Sequence, residues 1–373
     1  MPQSSHRDDF FQTDASIEDN DRKIAKSKNE HGSPIRLQSK ILAIAADPLA
    51  SQSVFVAESA GTIRKVSLET GETLALYRGP TAPLTSLTFS PDGKLLFAGC
   101  WDKTVWSWDV RSRQPQRRYE GHSDFVKSVT CARINGQDIL ISGGADSKII
   151  VFGIAGGERL QVLKDHLRGV QDLCIDPTTL DENQTSTIKL FSAGSEREIR
   201  EYTIGIGTSH VEGPLIAHET SVYKLYFDED GDLWTASADN STKCLTRDSG
   251  WKANLVLEHP DFVRDVVVFE QGGWVITACR DEEVRVWNKA TGELYHTFTG
   301  HFEEVTGLLL LGSLVVSVSI DATIRKWSLR PADLQKSKEE AEKKPKEEEQ
   351  PKQESMLTEE EERELAELMA DDE

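Results

Sequence analysis

The sequence predicts an all-β fold. The expected architecture is a seven-bladed β-propeller of four-stranded antiparallel blades, closed by an N-terminal strand, with disordered tails and a short C-terminal helix. Three observations carry this. A pattern of small residues, an acid, two or three polar residues and an apolar strand ending in an aromatic recurs seven times. Its acid positions (Ala60, Asp102, Asp146, Glu196, Asp239, Asp281 and Asp321) lie 40 to 50 residues apart, the period of one blade. A second pattern, a histidine followed by three variable residues and an apolar strand start, stands about 20 residues before the acid at His122, His166, His218, His259 and His301.

The elements follow in chain order. Residues 1–34 are polar and mixed in charge and are expected to be disordered. Ile35–Ser39 is the candidate closing strand, because the last repeat stops after its third strand at Leu329. Supplying a fourth strand there removes an open sheet edge. In the second repeat, 84–90, 94–100, 104–110 and the more polar 114–121 read as strands. Pro91-Asp92-Gly93 makes the first turn, since proline fixes φ and glycine permits positive φ. Inner strands read as nearly unbroken apolar runs because neighbouring blades cover both faces. The fourth repeat carries a polar insertion, 176–190, expected to be a solvated loop. The apolar run 305–320 is broken by Gly312 and Ser313, and it falls short of the ~20 residues a membrane helix needs. It reads as two strands around a tight turn. Residues 331–355, rich in Lys, Glu, Pro and Gln, read as a charged disordered linker. In 356–373, Thr358 and Glu361 make a capping-box pattern, and Leu365, Leu368 and Met369 fall at helical spacing. An acidic amphipathic helix able to dock in a partner's groove is expected there.

On these histidine and acid…aromatic patterns, the chain resembles the WD-repeat β-propeller family over about residues 35 to 330. The resemblance implies seven blades around a central channel, one domain where length alone suggests two. It also implies a buried chain in each blade: the turn acid bonds the histidine, the histidine a hydroxyl, and the hydroxyl an indole N–H. The sets are His301/Ser317/Asp321/Trp327, His259/Thr277/Asp281/Trp287 and His122/Ser142/Asp146, with His166/Ser192/Glu196/Tyr202 and His218/Thr235/Asp239 beside them. The copies in blades 6 and 7 are expected to be the most complete. A Ser-His-Asp set also suggests a hydrolase, but an active site is made once and this set recurs blade after blade. Buried polar groups need partners, so the structural reading wins. No Walker loop, GxSxG or metal-spaced Cys/His cluster occurs. A non-enzymatic protein without cofactor, metal or small-molecule substrate is therefore expected.

Charge and cysteines narrow the class further. Net charge is −20, with −10 of it in 331–373. That disfavours binding to nucleic-acid phosphates or to an anionic membrane. The five cysteines are scattered, none in a CxxC, which fits buried thiols in a reducing compartment. No apolar leader opens the chain. The expected location is cytoplasm, nucleus or both.

The resemblance further implies that proteins or peptides bind on the narrow face, around the channel mouth. Residues flanking the turn acid or opening the innermost strands reach it: Trp101, Arg280 and Ile320, then Phe125, Lys127, Tyr223, Phe262 and Arg264. Aromatics and arginines are the types that carry interface energy. The cations Lys127, Arg264 and Arg280 suit an acidic or phosphorylated peptide. Trp108-Asp109-Val110-Arg111 resembles the WDxR box of receptors for cullin-4 ubiquitin ligases, with Arg111 as the contact. The expected function is an adaptor or scaffold, a monomeric propeller within a hetero-complex. The alternatives are a ligase substrate receptor and, remotely, the hydrolase.

Overall fold

The computed structural model describes residues 14–180 and 186–343. Residues 35–329 form seven antiparallel sheets, six of them laid down in chain order from an innermost to an outermost strand. Blade 1 comprises Ile41–Ala46, Ser53–Glu58, Ile63–Ser67 and Thr73–Tyr77; blade 2 comprises Leu84–Phe89, Leu95–Cys100, Thr104–Asp109 and Pro115–Glu120. The innermost strands of blades 3 to 6 are Val126–Ile134, Val170–Ile175, Val222–Phe227 and Val263–Phe269. Blade 7 takes Val305–Leu311, Leu314–Ser319 and Thr323–Ser328 from the end of the propeller and Ile35–Arg36 from its beginning. Ile35 pairs with Ile324 and Arg36 with Thr323. The closing strand is thus two residues of the expected five, extended by the Leu37 N–H donating to the Ala322 carbonyl.

Burial follows the layers. The second strand Ser53–Glu58 is buried at every position, whereas the outermost strand Pro115–Glu120 buries only Tyr119. Apolar side chains fill the gaps between blades, as where Val316, Val318 and Ile324 of blade 7 pack on Ile41, Val54, Val56 and Val66 of blade 1, with Ile35 and Leu37 beside them. The run 305–320 folds as two strands around Gly312, whose φ is +59°.

The recurrent acid has a local job that explains its position. In the turn between second and third strands its carboxylate accepts the N–H two residues on: Asp102 from Thr104, Asp239 from Ser241 and Asp321 from Thr323, at 2.8–3.1 Å. The residue between adopts positive φ in Lys103, Ser147, Asn240, Glu282 and Ala322. Blade 1 has Ala60 in place of the acid and compensates with Gly61, at φ +76°; a Cβ there would lie 2.5 Å from the Pro80 carbonyl oxygen.

Three expectations need correction. Residues 14–27, expected to be disordered, form helix α1, Asp14–Ser27. The sequence places acids first and Arg22, Lys23 and Lys26 last, the order the helix dipole favours. Residues 331–343, assigned to the linker, form helix α2, Pro331–Lys343, with proline in its first turn, where a missing N–H costs nothing. The insertion in blade 4 is shorter than expected: Pro177–Thr179 is a 3₁₀ turn capped by Asp176, and the second strand already begins at Thr187. Blade 4 also splits its outer edge, Thr208–Val211 and Leu215–Ile216 both pairing with the third strand Glu198–Gly205 around Gly213-Pro214, where proline has no N–H to give. The expected helix with Leu365, Leu368 and Met369 lies outside the described residues.

Removing residues 1–36 takes away the closing strand and leaves Thr323–Ser328 as an open edge. Thermal unfolding followed by circular dichroism should show a midpoint at least about 5 °C lower. Light scattering should show concentration-dependent association.

Candidate functional site

The blade networks are the first polar constellation. His301 is 1% exposed; its Nδ1 lies 2.9 Å from Asp321 Oδ2 and its Nε2 2.8 Å from Ser317 Oγ, which also accepts the Trp327 indole N–H at 2.8 Å. Blade 3 joins His122 to Asp146 and Ser142 at 2.8 Å each. Blade 5 joins His218 to Asp239 at 2.8 Å and Thr235 at 2.7 Å. Blade 4 joins His166 to Glu196 and Ser192, but the Tyr202 hydroxyl is buried without a hydrogen-bond partner.

Blade 6 departs from expectation. His259 reaches Thr277 at 2.7 Å, and Thr277 accepts the Trp287 N–H at 2.9 Å. The acid Asp281 does not join the chain: Arg285, four residues on, takes it in a two-pronged ion pair. His259 Nδ1 turns instead to the Leu257 carbonyl, 3.1 Å away. Burial, then the charge of Arg285, push the His259 pKa down to about 4. Blade 7 alone therefore carries all four members.

α1 docks on these same two blades. Arg22 grips Glu282 with both Nη atoms at 2.8 Å, and Lys26 bridges Glu282 and Glu283 at 2.8 and 2.7 Å. Lys23 pairs with Glu303 at 3.1 Å. Asn29 and His31 then hold the buried Arg325 guanidinium.

The second constellation rings the channel. In every blade the innermost strand is bulged at its second residue: Leu42, Thr85, Lys127, Gln171, Tyr223, Arg264 and Thr306. The bulge leaves backbone groups without sheet partners, and side chains of the preceding blade reach across to them. Thr85 donates to the Val126 carbonyl at 2.6 Å and Thr306 to that of Ile41 at 2.9 Å. One residue further, Ser128 accepts the Leu173 N–H, Asp172 that of Leu225, and Asp265 that of Leu308. These strands enclose a cavity of about 580 Å³, lined by all seven bulge residues and by Trp101. Within it Lys224 lies 3.2 Å from Asp172. Burial opposes the Lys224 charge, but Asp172 and Asp265 outweigh it and hold its pKa above the ordinary lysine value. Burial raises the Asp265 pKa to about 6.

The expected contact residues gather on the face where chains enter the innermost strands. Trp101 is 40% exposed and stacks on Phe125, ring centroids 4.9 Å apart and 14° from parallel. Arg264 lies over Tyr223 at 4.3 Å and pairs with Glu304 at 2.6 Å. Arg280 lies over Phe262 at 5.1 Å. Ile320 is half-buried beside the Asp321 turn. Arg111 is exposed in the turn between third and fourth strands of blade 2, which antiparallel pairing puts on the opposite face. Trp106 and Trp108 stay with their blade: Trp106 donates to Asp102 and Trp108 to the Arg78 carbonyl.

Sequence reading missed Asp172, Lys224 and Asp265. Their signal was a charge two residues past an apolar strand start, VQDL, VYKL and VRDV, where blades 1, 2 and 7 have Ala43, Ser86 and Gly307. It also missed α1, which the charge order in 14–27 announces. Asp228, Asp230 and Glu270 converge as cation ligands would. Lys289 Nζ already fills their centre, 2.8–3.0 Å from all three.

Comparison with known proteins agrees with this architecture. The family described as "WD domain, G-beta repeat" matches residues 71–109, 113–152, 251–288 and 292–328. Each match begins on or near the outermost strand of one blade and ends with the third strand of the next. An uncharacterised WD repeat-containing protein of Schizosaccharomyces pombe is 34% identical over 378 residues, covering 97% of this chain and 98% of that protein. A ribosome biogenesis protein WDR12 homologue of Drosophila virilis is 24% identical, over 64% of this chain and 60% of its own. The COMPASS component SWD3 of Saccharomyces cerevisiae is 36% identical over 24% of this chain and 28% of its own.

Two outcomes follow from the networks. Asp321→Ala strips His301, the Phe302 N–H and Thr323 of an acceptor inside blade 7 and should cost about 3 kcal/mol. Asp281→Ala, whose acid touches no histidine, should cost measurably less in chemical denaturation. The second outcome concerns pH. The folded His259 pKa of about 4 lies below the unfolded value, so protons favour the unfolded state as pH falls from above 6.5 toward 4. Between pH 7 and pH 5 this histidine should remove about 2 kcal/mol of stability. His259→Gln should flatten the measured dependence by that amount.

Proposed function

Because this chain belongs to the WD-repeat β-propeller family, we propose that it serves as a non-enzymatic scaffold or adaptor that holds protein partners on its channel-mouth face. One observation carries the reading: the Trp101–Phe125 stack stands 40% exposed at Trp101 on that face, beside the Arg264–Tyr223 and Arg280–Phe262 pairs. Large aromatics stiffened by a neighbour lose little freedom on binding, and aromatics and arginines dominate interface energy. The named relatives support work within assemblies, one being a COMPASS component and another a ribosome biogenesis protein.

Several observations support this reading. The His-Ser-Asp sets are sealed inside the blades, with His301 at 1% and Ser317 at 0% exposure, so a substrate has no path to them. All five cysteines are free, in keeping with a reducing location in the cytoplasm or nucleus. No helix among the described residues is long and apolar enough to cross a membrane. The net charge of −20 favours protein partners over nucleic acid. Arg111, exposed on the opposite face, leaves room for the ligase adaptor suggested by the WDxR box without competing at Trp101. Loss of adaptor co-purification in Arg111→Ala would establish that second contact; unchanged co-purification would discard it.

Trp101→Ala is the direct test of the face. Trp101 closes no blade network, so the variant should unfold within about 1 kcal/mol of the parent. Proximity labelling and pull-down from cells should lose at least one partner by about tenfold or more. Retention of every partner would mean that binding lies elsewhere.

A further inference from the structure

We propose that the channel mouth is an anion site: Lys127 and Arg264 clamp a carboxylate side chain from an acidic peptide segment of a protein partner. This rests on the channel-mouth face being the partner surface, and it adds the chemistry of the partner.

Charge at the mouth is only partly matched: Glu304 pairs with Arg264, and Lys127 has no such partner among the described residues. Lys127 is the bulge residue of blade 3 and Arg264 that of blade 6, three blades apart around a seven-membered ring, so they enter the channel from opposite walls. A bulge aims its extra side chain off the regular pleat, here into the lumen. Arg264 is fixed before any ligand arrives: its Nε pairs with Glu304 at 2.6 Å, and its guanidinium lies on the Tyr223 ring. Lys127 has no hydrogen bond or ion pair among the described residues. Burial and the facing charge of Arg264 both lower its pKa, and Asp124 only partly offsets them.

The deeper carboxylates do not answer this need. Asp172 accepts from Ser128, the Leu225 N–H and Lys224; Asp265 accepts the Leu308 and Val266 N–H groups. Both are occupied with joining blades. Two like charges facing across a confined opening repel each other, and an anion between them turns that repulsion into two charge-assisted bonds. Low-dielectric walls concentrate the field at such an opening. The cavity of about 580 Å³ accommodates an acidic side chain, and the Trp101–Phe125 stack at its rim offers an apolar surface to the residues flanking it.

The test uses the full chain and three fluorescein-labelled peptides, followed by fluorescence anisotropy: alternating Glu and Leu, its Gln-for-Glu counterpart, and its phosphoserine-for-Glu counterpart. The Glu peptide should bind and the Gln peptide should not. Lys127→Gln and Arg264→Gln should each weaken binding about tenfold or more, with thermal midpoints near that of the parent. Lys127→Arg, which keeps the charge, should stay within about threefold of the parent. The proposal fails if Lys127→Gln binds the Glu peptide as the parent does, if the Gln peptide binds equally, or if no peptide binds. Binding of the phosphoserine peptide alone would overturn the carboxylate assignment in favour of phosphate. The underlying face reading fails separately: its mark is a Trp101→Ala variant that keeps every cellular partner, whatever the peptides do.

Discussion

A ring of sheets that meet only through side chains must pair every backbone group its inner wall exposes, and that constraint organises the molecule. Seven innermost strands are bulged at the same position, which curves each sheet toward the axis and frees N–H and C=O groups. The preceding blade supplies partners to the next one's backbone through Thr85, Ser128, Asp172, Asp265 and Thr306. Cohesion between blades is thus polar at the axis and apolar further out, where clusters such as Val316, Val318 and Ile324 against Ile41 and Val54 fill the gap. The same bulges project Lys127, Tyr223 and Arg264 into the mouth, so the device that closes the ring also furnishes its binding chemistry.

Much of this was legible in sequence because it repeats. The turn acid carries two tasks, capping the N–H two residues on and anchoring the histidine, and a residue with two tasks leaves a clear trace at blade spacing. The strand order and the N-terminal closure followed from counting three strands where four were needed. Features made once were harder to see. Asp172 and Asp265 look like polar residues in an apolar strand until the neighbouring blade shows the N–H they accept. α1 carries no apolar stripe, and its docking is ionic, so only the order of its charges hints at it.

Blade 6 shows how local competition overrides a repeat. Its turn reads Arg-Asp-Glu-Glu, and Arg285 stands one helical-style step beyond the acid. A guanidinium offers two parallel donors to a carboxylate, which a neutral imidazole cannot match. Asp281 pairs with Arg285, and His259 is left neutral and buried, whereas in blade 7 the arginine at the same place, Arg325, turns to Asn29 and His31 and Asp321 keeps His301. The two following glutamates, Glu282 and Glu283, anchor Arg22 and Lys26. The departure from the repeat and the attachment of α1 lie in the same turn.

The union of Ile35–Arg36 with Thr323–Ser328 has a consequence for biosynthesis. A ribosome delivers the first partner of that pairing at the outset and the second only after nearly the whole propeller has been made. Throughout that interval the nascent chain holds an unfinished arc whose terminal blades bare apolar flanks, Val54 and Val56 at one end among them. Such surfaces favour association with other chains, so between translation of one strand and its mate, ring closure competes with aggregation.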